Sequence, residues 1–135
     1  MMVSFMSANY VAREVGFSMH GWGHGDRATN DAFRPLETYV ERLGELLDRV
    51  VALGFGAVDV WGAHLNPEWA TDEHVDAAAT ALAARGLLAS SYQVYVPGQH
   101  LERACELAVR LGTSVLSGFV PVEDERLTTL PAYPR

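Results

Sequence analysis

A histidine follows a short hydrophobic run near the middle of the chain. Residues 58–61, Val-Asp-Val-Trp, are typical of a buried strand, and His64 comes shortly before the Asn-Pro at 66–67 that stops the run. An imidazole at the tip of a strand can shuttle protons near pH 7 or bind a metal ion. It can equally be a loop side chain that bonds only to backbone. The sequence leaves both interpretations of His64 open.

Other polar and aromatic side chains stand at or near the ends of predicted strands. Trp61, Gln93 and Asn9 occupy such positions, where they could contact the ring and hydroxyl groups of a small ligand. For Gln93, a satisfied polar strand end is an equal alternative. Asp59 alternates with valines, so it is expected to face either the inner side of the sheet or a layer of helices. A buried carboxylate there needs a partner, and its role is either structural or catalytic.

Residues 16–33 are rich in glycine and histidine, with the sequence GFSMHGWGHGDRATNDAF. Three closely spaced glycines make a helix unfavourable here, so this segment is predicted to be a long loop. We expect it to lie on the active face, with Trp22 and His24 contacting a ligand as part of a lid. His20 and His24 are four residues apart, but no His-Glu-x-x-His motif supports a zinc site.

The composition excludes several function classes. All ten basic residues are arginine, so neither a Schiff-base lysine nor a P-loop lysine exists. The net charge of −7 and the lack of a basic cluster argue against nucleic-acid binding. The N-terminus lacks the pattern of a signal peptide and no window is apolar enough for a membrane span, so a cytoplasmic location is expected. The single cysteine, Cys105, lies in an apolar helical pattern and is predicted to be a core residue.

A helix, a glycine and a strand recur along the chain. Residues 34–54, 71–86 and 100–112 have helical apolar spacing and end at Gly54, Gly86 and Gly112, which are 32 and 26 residues apart. A β-rich segment follows each helix, and another precedes the first. This alternation predicts an α/β fold of parallel βα repeats with about four strands in the order 1-2-3-4 and helices on one outer face.

One domain over residues 1–135 is the expected organisation. Residues 122–135 are predicted to be an irregular tail. The alternative is a fourth helix that has Pro121 and three acidic residues in its first turn and is ended by Pro131 and Pro134.

Several ordered motifs resemble the xylose-isomerase-like superfamily of sugar phosphate isomerases and epimerases. They are "LDRVVALGFGAVDVW" at 47–61, "WGAHLNPEWATDEHVDAAATALAARGL" at 61–87, "ERACELAVRLGTSVL" at 102–116 and "MSANYVAREVGF" at 6–17. The resemblance implies the first half of a (β/α)8, or TIM, barrel, which needs about 250 residues when complete.

The resemblance also implies a chemistry, proton transfer beside a carbonyl of a sugar or sugar phosphate, assisted by a divalent metal such as Mn, Mg, Zn or Co. It makes His64 the candidate catalytic residue. Trp22, His24, Asn9, Trp61 and Gln93 are the candidate substrate-binding residues. The family's metal ligands lie on later strands, so the metal ligands of this chain stay unknown, and tight metal binding by this chain alone is not expected.

Two alternatives stand beside an isomerase or epimerase. One is a truncated half-barrel without independent catalysis, and the other is a metal hydrolase like the apurinic endonucleases that share the scaffold. A half-barrel leaves sheet edges and apolar surface open, so a homodimer or larger assembly is expected.

Overall fold

Four strands form one parallel sheet in the order β1-β2-β3-β4. The structure, a computed structural model, describes residues 3–95 and 98–119. The strands are β1 (Ser4–Met6), β2 (Ala57–Trp61), β3 (Leu88–Tyr95) and β4 (Leu116–Phe119). The strand order and the parallel pairing confirm the predicted α/β repeat fold.

Four α-helices alternate with these strands. They are α1 (Trp22–Phe33), α2 (Leu36–Ala52), α3 (Asp72–Ala83) and α4 (Leu101–Leu111). The last three confirm the helices predicted from apolar spacing. Gly54, Gly86 and Gly112 follow them with φ of +84°, +64° and +84°. These values lie in the left-handed region that favours glycine, so these residues end the helices as predicted.

The prediction of a loop over residues 16–33 is wrong from Trp22 onward, because α1 occupies 22–33. Gly21 precedes the helix with φ of +144°, and Gly25 is buried against the backbone of Val11. A Cβ atom on Gly25 would lie 2.7 Å from the Val11 carbonyl oxygen. Close packing against Val11 therefore requires glycine in a helix that propensity alone disfavours.

The core lies on one side of the sheet. Val58, Val60 and Tyr92 are buried there in one cluster with apolar side chains of α2, α3 and α4. The alternate strand residues face the other way: Asp59 and Gln93 are half-buried, and the Ser91 hydroxyl donates to Asp59 Oδ1 at 2.6 Å. The helix core thus covers one face of the sheet, and at the end of β2 the other face is covered by a second, smaller buried cluster of Ala8, Val11, Trp61 and Ala63.

The predicted burial of Cys105 is wrong, because its side chain is exposed on α4. The helix turns Ala104, Leu107 and Ala108 toward the core, so the position after Ala104 points outward. Leu101 and Val109, one turn to either side of the cysteine, are exposed with it.

Within the described ranges, the helices are all too short or too polar to cross a bilayer. The predicted tail at 122–135 lies outside the described residues. So does its alternative, the helix predicted to begin at Pro121.

Candidate functional site

A cleft of about 440 Å³ lies between α1 and the C-terminal ends of β2 and β3. Trp61 and Tyr95 are the last residues of these two strands. Parallel α/β folds bind ligands at this end of the sheet, where loops and helix ends meet. The cleft is lined by Asp26, Arg27, Asn30, Asp31, Arg34, Trp61, Gly62, Ala63, Asn66, Glu68, Val94 and Tyr95.

A hydrogen bond from α1 fixes the indole of Trp61 in the cleft. Trp61 Nε1 donates to Asp26 Oδ1 at 2.8 Å. The ring meets Trp22 and Tyr95 edge-to-face, with centroid distances of 5.7 Å and 5.1 Å. The indole is 4 % exposed, so the hydrogen bond and the two aromatic contacts fix it in the wall of the cleft and only a small part of the ring reaches the opening.

Asn30 joins α1 to the segment that follows β2. Its Oδ1 accepts hydrogen bonds from Asn66 Nδ2 at 2.7 Å and from Trp69 Nε1 at 3.0 Å. Its Nδ2 donates to the Asp26 carbonyl oxygen at 3.0 Å. The side chains that form two walls of the cleft are therefore linked through one amide.

The charged side chains of the cleft include both signs. Arg27 lies on α1, and Arg34 directly follows the last residue of that helix. Neither arginine makes an ion pair with a described residue. Asp31 and Glu68 lack an ion pair within the same part of the chain. Guanidinium donors, carboxylate acceptors and amides around an indole match a ligand with several hydroxyl groups.

The structure places His64 at the end of β2 but turns its ring into the core. The imidazole is 2 % exposed, packs edge-to-face on Phe33 at 4.7 Å and has Nδ1 3.4 Å from Ser7 Oγ. Burial lowers the pKa of His64 to about 4, because the charged form would be desolvated. The ring is neutral at pH 7 and does not line the cleft, so its catalytic role stays a prediction.

Of the five predicted substrate-binding residues, Trp61 lines the cleft. Trp22 contacts the Trp61 ring from outside the cleft lining, and the His24 ring stacks on His20 at 5.3 Å. Asn9 is exposed in the turn that follows β1, and Gln93 lies beside Trp61 in the sheet register without lining the cleft.

No family model, curated protein or solved structure matches this chain.

Sequence reasoning missed the polar residues of the cleft on α1 and after β2, which are Asp26, Arg27, Asn30, Asp31, Arg34, Asn66 and Glu68. Their four-residue spacing at 26, 30 and 34 is helical and was available as a signal. The glycines before them obscured the helix. The Asn-Pro at 66–67 predicts a stop for the strand, and in the structure Asn66 also donates a hydrogen bond to Asn30.

The donor set for a divalent metal is not assembled in this part of the molecule. Among the described residues, no three histidine, cysteine, aspartate or glutamate side chains lie close enough together to hold a metal ion. The metal that the family resemblance implies stays an expectation.

Proposed function

We propose that this protein binds a sugar or a sugar phosphate in the cleft beside Trp61 and moves a proton next to the sugar carbonyl, as an isomerase or epimerase does. The observation that carries the proposal is the hydrogen-bonded Trp61 ring in the cleft, surrounded by polar side chains of both charge types. The hydroxyl groups of a sugar need donors and acceptors, which the polar side chains supply, and the small exposed part of the indole offers an apolar contact to the sugar ring.

The cleft supplies groups for both tasks. Arg27 and Arg34 donate to sugar oxygens or to a phosphate, and Asn66 offers an amide beside them. For the proton transfer we assign Asp31 and Glu68, since both carboxylates line the cleft without an ion pair among the described residues. His64 is not assigned this step, because its ring is buried away from the cleft lining.

Binding is tested by calorimetric titration with a panel of free pentoses and hexoses and their phosphates. We expect saturable binding of at least one member of the panel. Arg27→Gln weakens it roughly 10-fold or more, because a charge-assisted hydrogen bond is lost. Arg49→Gln is the matched control, since Arg49 is exposed on α2 outside the cleft. Equal affinity in the two variants, or no binding by any sugar, contradicts the proposed site.

Catalysis is tested by incubating the bound sugar with the protein in D2O and following the proton beside the carbonyl by NMR. Proton transfer through a protein carboxylate exchanges this proton for deuterium from solvent. We expect exchange in the natural chain and a loss of about 100-fold or more in the Glu68→Gln or Asp31→Asn variant. Binding without any exchange contradicts the isomerase part of the proposal.

A second candidate is a sugar-binding half-barrel without its own catalysis. The observation that favours it is the sheet face that carries Asp59 and Gln93, which the helix core leaves uncovered. A complete barrel buries this face against further strands. Binding without deuterium exchange is the result expected for this candidate.

A further inference from the structure

The phenol of Tyr39 presents a buried polar atom without a partner. Tyr39 lies on α2 and is 0 % exposed. Its Oη has no hydrogen-bonding partner among the described residues. By contrast, the buried hydroxyl of Tyr92 donates directly to the Leu65 carbonyl oxygen. Because an unpaired buried hydroxyl costs free energy, proteins rarely leave one without a partner.

A small cavity lies in the core beside this tyrosine. Its volume is about 10 Å³, and Tyr39, Ser7 and His64 are its polar lining residues. The other lining side chains are aliphatic. An internal water needs at least roughly 10–15 Å³ and two to four polar partners. The cavity volume is at the lower end of this range, and three polar side chains line the cavity.

We propose that this cavity holds one internal water molecule, bound by the Tyr39 hydroxyl together with Ser7 and His64. The phenol donates to the water oxygen, and the water donates to an acceptor on the hydroxyl or the neutral imidazole. When the water donates to the imidazole, His64 is neutral, because only the neutral ring keeps an acceptor nitrogen.

The proposed water connects α2 with the strand end that forms the cleft. Ser7 Oγ accepts the backbone N–H of Trp61 at 2.8 Å and lies 3.4 Å from His64 Nδ1. The water site extends this network from the end of β2 to Tyr39 on α2. Its role is to give the buried Tyr39 hydroxyl a hydrogen-bonding partner.

Tyr39→Phe tests the site, because the midpoint of thermal unfolding changes in opposite directions with and without a bridging water. If a water bridges the phenol, the variant loses a hydrogen bond and its midpoint of thermal unfolding falls by a few degrees. If the hydroxyl is buried without a partner, its removal relieves a penalty and the midpoint rises. Tyr92→Phe calibrates the loss of a direct hydrogen bond to Leu65 and lowers the midpoint. An unchanged or raised midpoint in Tyr39→Phe overturns the proposal.

A second measurement uses the natural chain and needs no variant. We expect NMR cross-relaxation between water and the ring or hydroxyl protons of Tyr39, with the sign of a long-lived bound water. The signal disappears in Tyr39→Phe, while signals from exposed residues persist. Absence of this cross-relaxation in the natural chain also overturns the proposal.

Discussion

The buried imidazole of His64 makes the stability of the protein depend on pH. Burial lowers its pKa in the folded chain to about 4, whereas the pKa of a histidine in an unfolded chain is about 6.5. Between these values the unfolded chain binds the extra proton, so stability rises with pH through this window and is lost as pH falls. This pKa difference corresponds to a loss of roughly 3 kcal/mol in the free energy of unfolding, which is reached near pH 4.

We expect the free energy of unfolding, measured with urea between pH 7 and pH 5, to fall by at most about 1.4 kcal/mol per pH unit below pH 6.5. His64→Gln removes most of this slope. His100→Gln is the control, because His100 is only partly buried at the start of α4. A slope that is the same in His64→Gln and in the natural chain contradicts the burial argument.

A second buried histidine shows why single residues resist prediction from sequence. His74 stands in the first turn of α3, where nothing in the local sequence predicts burial, and it is 3 % exposed. Its Nδ1 accepts the backbone N–H of Thr71 at 3.2 Å, and its Nε2 lies 3.1 Å from the Arg34 carbonyl oxygen. The second contact joins residues 40 positions apart, and local spacing does not encode such a partner.

At the scale of elements, two glycines of α1 have opposite effects on stability. Gly25→Ala places a Cβ atom 2.7 Å from the Val11 carbonyl oxygen and 2.5 Å from Met19 Sδ. We expect a loss of about 1–3 kcal/mol, since the backbone contact cannot relax without moving the helix. Gly23→Ala meets only Arg27 Nη1 at 3.7 Å, so it stabilises the chain by about 0.5–1 kcal/mol through helix propensity.

Urea unfolding of the two variants beside the natural chain checks this pair. Changes of the same sign in the free energy of unfolding of both variants would show that α1 does not pack on Val11 as described.

These two glycines also explain which elements were predictable from the sequence. The helices α2, α3 and α4 follow from apolar spacing and terminal glycines, because they bury one face against the sheet. Helix α1 depends on a contact with Val11, which local spacing cannot show.

The candidate site was predictable only in its location. Parallel strands predict a functional edge at their C-terminal ends, and Trp61 lies there in the cleft. The hydrogen bonds from Trp61 to Asp26 and from Asn66 to Asn30 join residues 35 and 36 positions apart. Only the packing of α1 over the strand ends brings these residues together.

The whole molecule presents two sheet edges within the described residues, at β1 and β4. Exposed apolar side chains accompany both: Met6 and Val3 at β1, Val115 before β4 and Val109 on α4. We expect a homodimer or larger assembly, because association removes this apolar surface from water. Sedimentation equilibrium at tens of micromolar checks this expectation, and a stable monomer contradicts it.

Val109→Lys shifts this equilibrium toward the monomer, since it places a charge on the outer face of α4. Thr80→Lys on the central helix α3 is the matched control, with an exposed position and the same added charge. An assembly that responds equally to both substitutions would not involve the α4 side of the molecule.

The arrangement of aromatic residues around the cleft gives the protein its own optical reporter. The chain has three tryptophans: Trp61 lines the cleft, Trp22 contacts the Trp61 ring, and Trp69 donates to Asn30 of the cleft. Tryptophan emission therefore originates at this one site. Buried Trp61 contributes blue-shifted light, and Trp22, which is 43 % exposed, contributes red-shifted light. A change in the emission of the folded protein reports an event in or beside the cleft, without any attached label.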